Sequence, residues 1–266
     1  MTVEAPPVGN LLRTWRQRRR LSQLALACDA EISQRHLSFI ESGRALPSRE
    51  MILHLAEQLD IPLRDRNVLL IAAGFAPMYR ERPLDDPALE AARKALDVVL
   101  KGHEPYPALA VDRHWTLVAA NRAVSPLLTG ADPELLQPPV NVLRLSLHPS
   151  GLAPRIANLT QWREHILTRL NRQVELTADR VLADLLVELR DYPSGSQSRD
   201  TAGARELAGV VVPLQLNSAL GTLSFFSTTT VFGTPVDITL SELAIESFFP
   251  SDAATAAALS AGVPAR

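Results

Sequence analysis

Cysteine is nearly absent from this chain of 266 residues, which contains only Cys28. A lone thiol excludes an internal disulfide and any metal site built from several cysteines. We interpret Cys28 as a small buried side chain at a turn between two helices, and the alternative is a redox sensor. No apolar run approaches the roughly 18 residues of a membrane-spanning helix, and none follows Met1 as in a signal peptide. We therefore expect a cytoplasmic protein without a membrane span.

Motifs of catalysis are missing as well. The sequence contains no P-loop, no GxGxxG and no GxSxG motif. The histidines are spread out and form no HExxH pair on one helix face: His36, His54, His103, His114, His148 and His165. A haem-binding sensor domain has no support beyond their presence. We predict no enzymatic activity, no metal and no cofactor apart from a bound ligand.

Lysine is almost as rare as cysteine. Only Lys94 and Lys101 occur, so the other 25 of the 27 basic residues are arginines, a bias that we attribute to a GC-rich genome. The net charge of −2 is unevenly distributed. Residues 1–80 hold eleven arginines and eight acidic residues, a balance of +3, and the remainder carries −5. The positive balance favours contact with DNA phosphates by the first quarter of the chain.

One early stretch, LSQLALACDAEISQRHLSFIESGRALPSR, carries helix start and stop signals at short intervals. Ser22 suits the N-cap of a helix through Ala27, and Ser33 suits the N-cap of a second helix through Ser42. Gly43 ends the second helix, because glycine adopts the left-handed conformation most easily. This arrangement predicts a helix-turn-helix.

The two faces of the second helix differ in character. Leu37 and Ile40 are expected to face inward, against Leu24 and Ala27 of the preceding helix. The outward face then carries Gln34, Arg35, Ser38 and Phe39. Arginine and glutamine at the start of a helix suit the major-groove edges of guanine and adenine. The alternative is an ordinary helical hairpin with solvated outer residues, but caps, spacing and residue types favour DNA recognition.

Further helices surround this pair. Upstream, Leu11, Leu12 and Trp15 form an apolar stripe on an arginine-rich helix. Downstream, Ser48 caps a helix with apolar residues at helical spacing, and a fifth helix follows Pro62. Five short helices in the first quarter of the chain resemble the XRE-type (phage-repressor) DNA-binding domain.

That resemblance implies roles for individual side chains. Gln23 would bind a phosphate or brace Gln34, and Arg16 would form a structural ion pair with Glu41. Phe39 departs from the usual polar residue, so it would contact a thymine methyl group or simply pack. The residues expected at the DNA are Gln23, Ser33, Gln34, Arg35, Ser38, Phe39, Arg44 and Arg49.

The chain changes character after Pro77. Residues 77–87 are rich in proline and charge, which marks a domain boundary. The helix that follows carries an apolar stripe that either docks on a second domain or pairs with its copy in a dimer, and docking is favoured. We predict a helix-turn-helix domain over 1–82, a linker and connecting helix over 83–104, and a second domain over 105–266.

The second domain shows the order of a PAS-type sensor. Two short strands come first, and Asn121 is expected to cap a helix. Further helices occupy 154–190, and a polar loop follows at 193–204. Three strands beginning at Gly209, Gly221 and Leu240 are separated by turn residues and predict an antiparallel meander.

The whole chain resembles the MmyB-like transcription regulators, most clearly in RALPSREMILHLAEQLDIPLRDRNVLLIAAGFAP, HEPYPALAVDRHWTLVAAN and ELAIESFFPSD. We therefore expect a two-domain α plus α/β chain. Its N-terminal part would be a five-helix XRE-type helix-turn-helix domain, and its C-terminal part a PAS-like α+β domain with an antiparallel sheet. The resemblance also implies a small apolar ligand of the fatty-acid type.

The candidate pocket residues are chosen by apolar face and PAS position: Leu117, Leu128, Leu143, Leu147, Ile156, Leu159, Trp162 and Phe225. The alternative is that these side chains fill the interior completely. A carboxylate head would need a donor at the pocket mouth, for which either Arg155 or Arg163 is suited, and the sequence prefers neither.

These observations predict a homodimer that binds double-stranded DNA at a palindromic operator and whose geometry changes with ligand occupancy. The alternative is a dimerisation module without a ligand that recruits a partner such as RNA polymerase. An enzyme fused to a DNA-binding domain is a more distant alternative.

Overall fold

Five helices build the N-terminal part of the computed structural model, as the sequence predicts: α1 (Val8–Arg18), α2 (Gln23–Asp29), α3 (Gln34–Glu41), α4 (Arg49–Gln58) and α5 (Leu63–Ala72). The structure describes residues 6–193, 212–233, 235 and 237–261. The predicted N-caps are confirmed, because the hydroxyls of Ser22, Ser33 and Ser48 each accept from a backbone N–H in the first turn of α2, α3 and α4. Gly43 follows α3 with φ +74°, the left-handed conformation that favours glycine.

The inward side of α2 differs from the prediction. Leu37 and Ile40 of α3 are fully buried as expected, but Leu24 is 57% exposed and Leu26 takes its place in the core. Consecutive helical residues are about 100° apart, so Leu24 and Leu26 point in nearly opposite directions. Cys28 was also expected to be buried and is exposed, because Ala27 and Ala30 fill the inward positions beside it.

Two compact units make up the chain. The first comprises Met1–Pro83 together with Glu175–Thr177 and Thr234–Ser241, and the second comprises the rest. The sequence gives no sign of the two short segments. Within the first unit, Asp237 is 1% exposed and accepts from Arg82 Nη1 at 3.0 Å. Thr239 Oγ1 donates to the carbonyl oxygen of Arg82, so this late segment is tied to the first unit by both side chain and backbone.

A five-stranded sheet forms the second unit, from β1 (Ala108–Val111), β2 (Leu117–Ala120), β3 (Leu214–Ser218), β4 (Gly221–Val231) and β5 (Ala244–Pro250). The strand order is β2-β1-β5-β4-β3, and every neighbouring pair is antiparallel. The predicted PAS-like sheet is therefore confirmed. The remaining α-helices in the described ranges are α6 (Glu90–Gly102), α7 (Val142–Leu147), α8 (Leu159–Thr177), α9 (Arg180–Asp191), α10 (Ile238–Ser241) and α11 (Ala253–Ala261).

Long amphipathic helices pack against this sheet with their apolar faces. Trp162, Ile166 and Leu170 follow one another at four-residue intervals on α8 and belong to the same core cluster as Leu216 of β3 and Phe225 of β4. Four-residue spacing keeps side chains on one face of a helix, which explains why the stripe was visible in the sequence. None of the helices in the described ranges is long and apolar enough to cross a membrane.

Several elements differ from the predictions. Residues after Asn121 form turns and a 3₁₀ segment (Ser125–Leu128) rather than an α-helix. The Asn121 side chain instead accepts from Ala108 N and donates to the carbonyl oxygens of Leu100 and Tyr106. The last strand begins at Ala244 and not at Leu240, because α10 occupies the intervening residues. The start of the strand predicted from Gly209, and the loop at 193–204 apart from its first residue, lie outside the described residues.

Candidate DNA-binding surface and ligand cavity

The start of α3 presents its polar side chains to solvent. Gln34 and Arg35 are exposed in the first turn, while Leu37 and Ile40 hold the opposite face in the core. The Ser33 hydroxyl accepts from His36 N at 3.1 Å and fixes the beginning of the helix. This arrangement offers an amide and a guanidinium group on a rigid element, as base recognition in the major groove requires.

Two arginine guanidinium groups lie near the ring of Phe39. The guanidinium carbon of Arg35 is 5.2 Å from the ring centroid, and that of Arg44 is 5.9 Å from it. Both separations are within the range of cation–π attraction. The half-buried ring therefore packs against two cations and holds them on the same side of α3.

A buried carboxylate ties α3 to α1. Arg16 Nε donates to Glu41 Oε1 at 2.6 Å and Arg16 Nη2 to Glu41 Oε2 at 2.9 Å, while Gln23 Nε2 donates to Oε2 at 2.8 Å. Glu41 is 1% exposed. Burial opposes ionisation of this carboxyl, but the hydrogen bonds from Arg16 and Gln23 outweigh it, so the pKa of Glu41 lies below its ordinary value. The same pairing raises the pKa of Arg16.

A cavity of about 120 Å³ lies in the second unit. Its walls come from the sheet, from α7 and α8, and from the turns after β2. The apolar lining includes Leu109, Trp115, Leu117, Leu128, Leu143, Leu152, Trp162, Ile166, Phe225 and Phe248. A wider and more open groove of about 420 Å³ runs along α8 and mixes polar with apolar side chains. The smaller cavity has the mostly apolar lining typical of small-molecule sites.

One part of the cavity wall is polar. Arg169 Nη2 donates to Glu246 Oε1 at 2.5 Å and to Thr229 Oγ1 at 2.8 Å. The Arg169 guanidinium carbon also lies 4.5 Å from the Trp115 ring centroid. His165 stacks on Trp162 with ring centroids 5.5 Å apart. Burial and then the charge of Arg169 lower the pKa of His165, so its imidazole is mainly neutral at pH 7.

Two family models match this chain. The family model described as MmyB-like transcription regulator ligand binding domain matches residues 92–261, which is more than half of the chain. The chain belongs to the MmyB-like transcription regulators. A second model, described as a helix-turn-helix domain, matches residues 7–69. No curated protein matches this MmyB-like chain. The two families together make it a DNA-binding transcription regulator with a ligand-binding domain.

The residues expected at the DNA fall into two groups: those exposed or half-buried without a structural role, and those whose side chains have structural partners. Gln34, Arg35 and Arg44 of this MmyB-like regulator are exposed, and Ser38, Phe39 and Arg49 are half-buried. Two others have structural partners. The Ser33 hydroxyl caps α3, and the Gln23 amide donates to Glu41 rather than to Gln34.

Five of the eight predicted wall residues line the cavity: Leu117, Leu128, Leu143, Trp162 and Phe225. The other three lie elsewhere. Leu147 and Ile156 are buried in the core cluster, and Leu159 lines the open groove.

The two arginines considered as head-group donors bind the backbone instead. Arg155 donates to the carbonyl oxygens of Leu127, Thr129 and Asn217. Arg163 Nη2 donates to carbonyl oxygens at the end of α9, the closest being Arg190 O at 2.6 Å. Neither side chain lines the cavity.

Sequence reasoning missed Arg169, His165 and Glu246, which form the polar wall. A usable signal was present at β5, where AIESFFP places one carboxylate within an otherwise apolar strand. Glutamate is rarely buried without a partner, so a buried strand that contains one indicates a paired or functional side chain. Arg169 shares a face of α8 with Trp162 and His165, and helical spacing would have connected these residues.

Proposed function

We propose that this regulator binds a palindromic operator as a homodimer through α3, and that an elongated apolar ligand of the fatty-acid type controls its dimer geometry. The proposed ligand binding rests on one observation, the apolar cavity with a polar wall in the second unit. The exposed pair Gln34 and Arg35 on α3 supports the DNA-binding half.

Replacing Arg35 with alanine is expected to weaken binding to the cognate operator by about 1–3 kcal/mol and to relax preference at one base pair. The guanidinium group that would pair with guanine is lost, while the helix is still anchored by Leu37 and Ile40. Fluorescence anisotropy with operator variants measures both effects. Arg44→Ala is the matched control, because loss of a phosphate contact should weaken all sequences alike. An Arg35→Ala variant that selects the wild-type sequence from random DNA would disprove this role.

The size of the cavity bears on how a ligand acts. At about 120 Å³ it is smaller than the roughly 300–1,000 Å³ of most small-molecule pockets. An alkyl chain of fatty-acid length therefore requires the walls to move apart. Such a ligand binds the enlarged conformation better than the compact one, which is the condition under which binding shifts a conformational equilibrium.

We expect the full-length chain to sediment as a dimer at micromolar concentration, mainly through residues beyond 80. A small helix-turn-helix domain buries little surface of its own, and a dimer places two α3 helices on half-sites about one DNA turn, or 34–36 Å, apart. Analytical ultracentrifugation tests the mass, and operator spacing variants test the geometry. Purely monomeric sedimentation would contradict the dimer.

Mass spectrometry of the denatured, purified protein tests the ligand directly. A co-purified apolar molecule supports the sensor. A protein that neither carries nor takes up such a molecule would instead favour a ligand-free dimerisation module.

A further inference from the structure

The titratable side chains of the cavity wall are gathered at one place. His165 and Arg169 lie one turn apart on α8, and Glu246 faces Arg169 from β5. These three are the titratable residues among the described residues that line the cavity. Side chains four positions apart on a helix have their Cβ atoms about 5–6 Å from one another, so the imidazole and the guanidinium are neighbours. One part of an otherwise apolar wall thus brings two basic groups and one carboxylate together.

The guanidinium of Arg169 is held in position and yet is accessible. Its central carbon lies 4.5 Å from the Trp115 ring centroid, and the Trp115 indole donates to Gln173 Oε1 at 2.9 Å. The Arg169 side chain is 35% exposed, whereas that of Glu246 is 5% exposed. The hydrogen bonds from Arg169 to Glu246 and Thr229 both start from Nη2, at one corner of a group that carries five N–H donors. A second carboxylate can therefore approach the same cation from its accessible side.

His165 is the cavity group that can change its charge near neutral pH. Burial, and after it the positive charge of Arg169, hold the pKa of this imidazole below its ordinary value, against the opposing effect of Glu246. The ring is stacked on Trp162, with the centroids 5.5 Å apart, and both residues line the cavity. A carboxylate bound beside the ring would reverse the balance, because a nearby opposite charge favours the imidazolium form.

A fatty-acid head group would change the charge balance of this part of the wall. Arg169 and Glu246 already cancel each other, so a bound carboxylate alone would leave one net negative charge in a mostly apolar cavity. Such a charge is costly away from water unless it is paired. One proton on His165 restores neutrality, because two cations then face two carboxylates.

We propose that Arg169 and His165 form the head-group site of the cavity, and that a fatty-acid carboxylate binds there together with one proton, which His165 takes up from the solvent. The guanidinium and the imidazolium donate to the carboxylate oxygens, while Glu246 keeps its bond to Arg169 and orients it. This inference rests on the proposed function, that the cavity binds a ligand of the fatty-acid type, and assigns the residues that hold its head group.

Calorimetric titration of the full-length protein with decanoate counts the protons directly. At pH 7 decanoate is ionised and His165 is mainly neutral, so titrations in buffers of different ionisation enthalpy should show uptake of close to one proton for each ligand bound. Decanoate affinity should fall by at least about fivefold between pH 6 and pH 8, because uptake of one proton corresponds to a change of up to about tenfold per pH unit. The alcohol 1-decanol, with the same chain and no charge, should bind without proton uptake.

His165→Asn identifies the residue that holds the proton. Because the amide does not titrate in this pH range, proton uptake should disappear and decanoate should bind about tenfold more weakly at pH 6, while 1-decanol binding is retained. His148→Asn is the matched control, since His148 is half-buried in the same unit but does not line the cavity. It should keep the wild-type proton uptake.

Arg169→Gln tests the second residue of the head-group site. The change removes the cation that would pair with the carboxylate, so decanoate should bind at least about tenfold more weakly at both pH values. Retained binding of 1-decanol shows that the cavity of this variant is intact.

The outcomes separate this inference from the proposed function. Decanoate binding to the wild type without proton uptake would overturn the coupling and leave the ligand-binding function intact, and this measurement needs no variant to fold. Proton uptake that persists in His165→Asn would place the proton on a carboxyl group and overturn the role of His165. Decanoate affinity unchanged by Arg169→Gln would overturn the head-group assignment. If neither decanoate nor 1-decanol bound the wild type, the proposed ligand binding itself would be refuted.

Discussion

Replacing Glu41 with alanine is expected to lower the free energy of unfolding of the DNA-binding unit by about 3–5 kcal/mol. The change leaves the guanidinium of Arg16, which is only 9% exposed, without its bidentate partner, and it removes the acceptor of the Gln23 amide. Urea denaturation of the full-length protein measures the loss. Hydrogen exchange of the backbone amides in α1 and α3 shows whether it occurs in this unit.

Glu57→Ala is the matched control for this prediction. Glu57 lies in the same unit and is exposed, so its removal should change stability by no more than about 0.5 kcal/mol. A Glu41→Ala variant that melts at the wild-type temperature would show that the pair does not stabilise the unit.

The contribution of Glu41 should also depend on pH in a defined direction. Its pKa in the folded protein lies below the ordinary value of 4.5. A carboxyl of this kind stabilises the fold at pH values above its unfolded-state pKa, and the contribution is lost as the pH falls through the folded-state pKa. The stability difference between the wild type and Glu41→Ala should therefore be largest near neutral pH and shrink in acid.

Leu128→Trp is expected to abolish binding of ten-carbon ligands while DNA affinity of the ligand-free protein stays unchanged. Leu128 lines the cavity, which is small enough for an indole ring to occupy much of it. Leu159→Trp provides a control with the same change of side chain, since Leu159 lines the open groove on α8 and not the cavity. Titration of each variant with 1-decanol measures its ligand affinity, and titration with operator DNA measures its DNA affinity.

Wild-type ligand affinity in the Leu128→Trp protein would show that ligands bind outside this cavity. Loss of binding in both tryptophan variants would instead point to a general effect on the packing of α8 and its neighbours.

The DNA-binding unit was predictable because its signals are local. Ser22, Ser33 and Ser48 each cap the helix that follows within three residues, and Gly43 ends α3 where its left-handed conformation is needed. The error at Leu24 arose because α2 has only seven residues, too few for helical spacing to distinguish Leu24 from Leu26.

The pairing of Arg169 with Glu246 in the cavity wall was not predictable in the same way. Arg169 and Glu246 are separated by 77 residues and meet only because β5 lies in the centre of the sheet. The alternatives Arg155 and Arg163 look equally suitable in the sequence, because their actual partners are backbone carbonyls that the tertiary fold brings near. Such pairings depend on long-range contacts, which residue types and spacing do not encode locally.

The pairing of Arg82 with Asp237 has a consequence for how the protein is made. The two residues are 155 positions apart, yet they belong to the same compact unit. At a translation rate of about 5–20 residues per second, the ribosome adds Asp237 roughly 8–30 s after Arg82. Helix α3 thus leaves the ribosome early, but the unit to which it belongs is completed only when most of the ligand-binding domain has been synthesised.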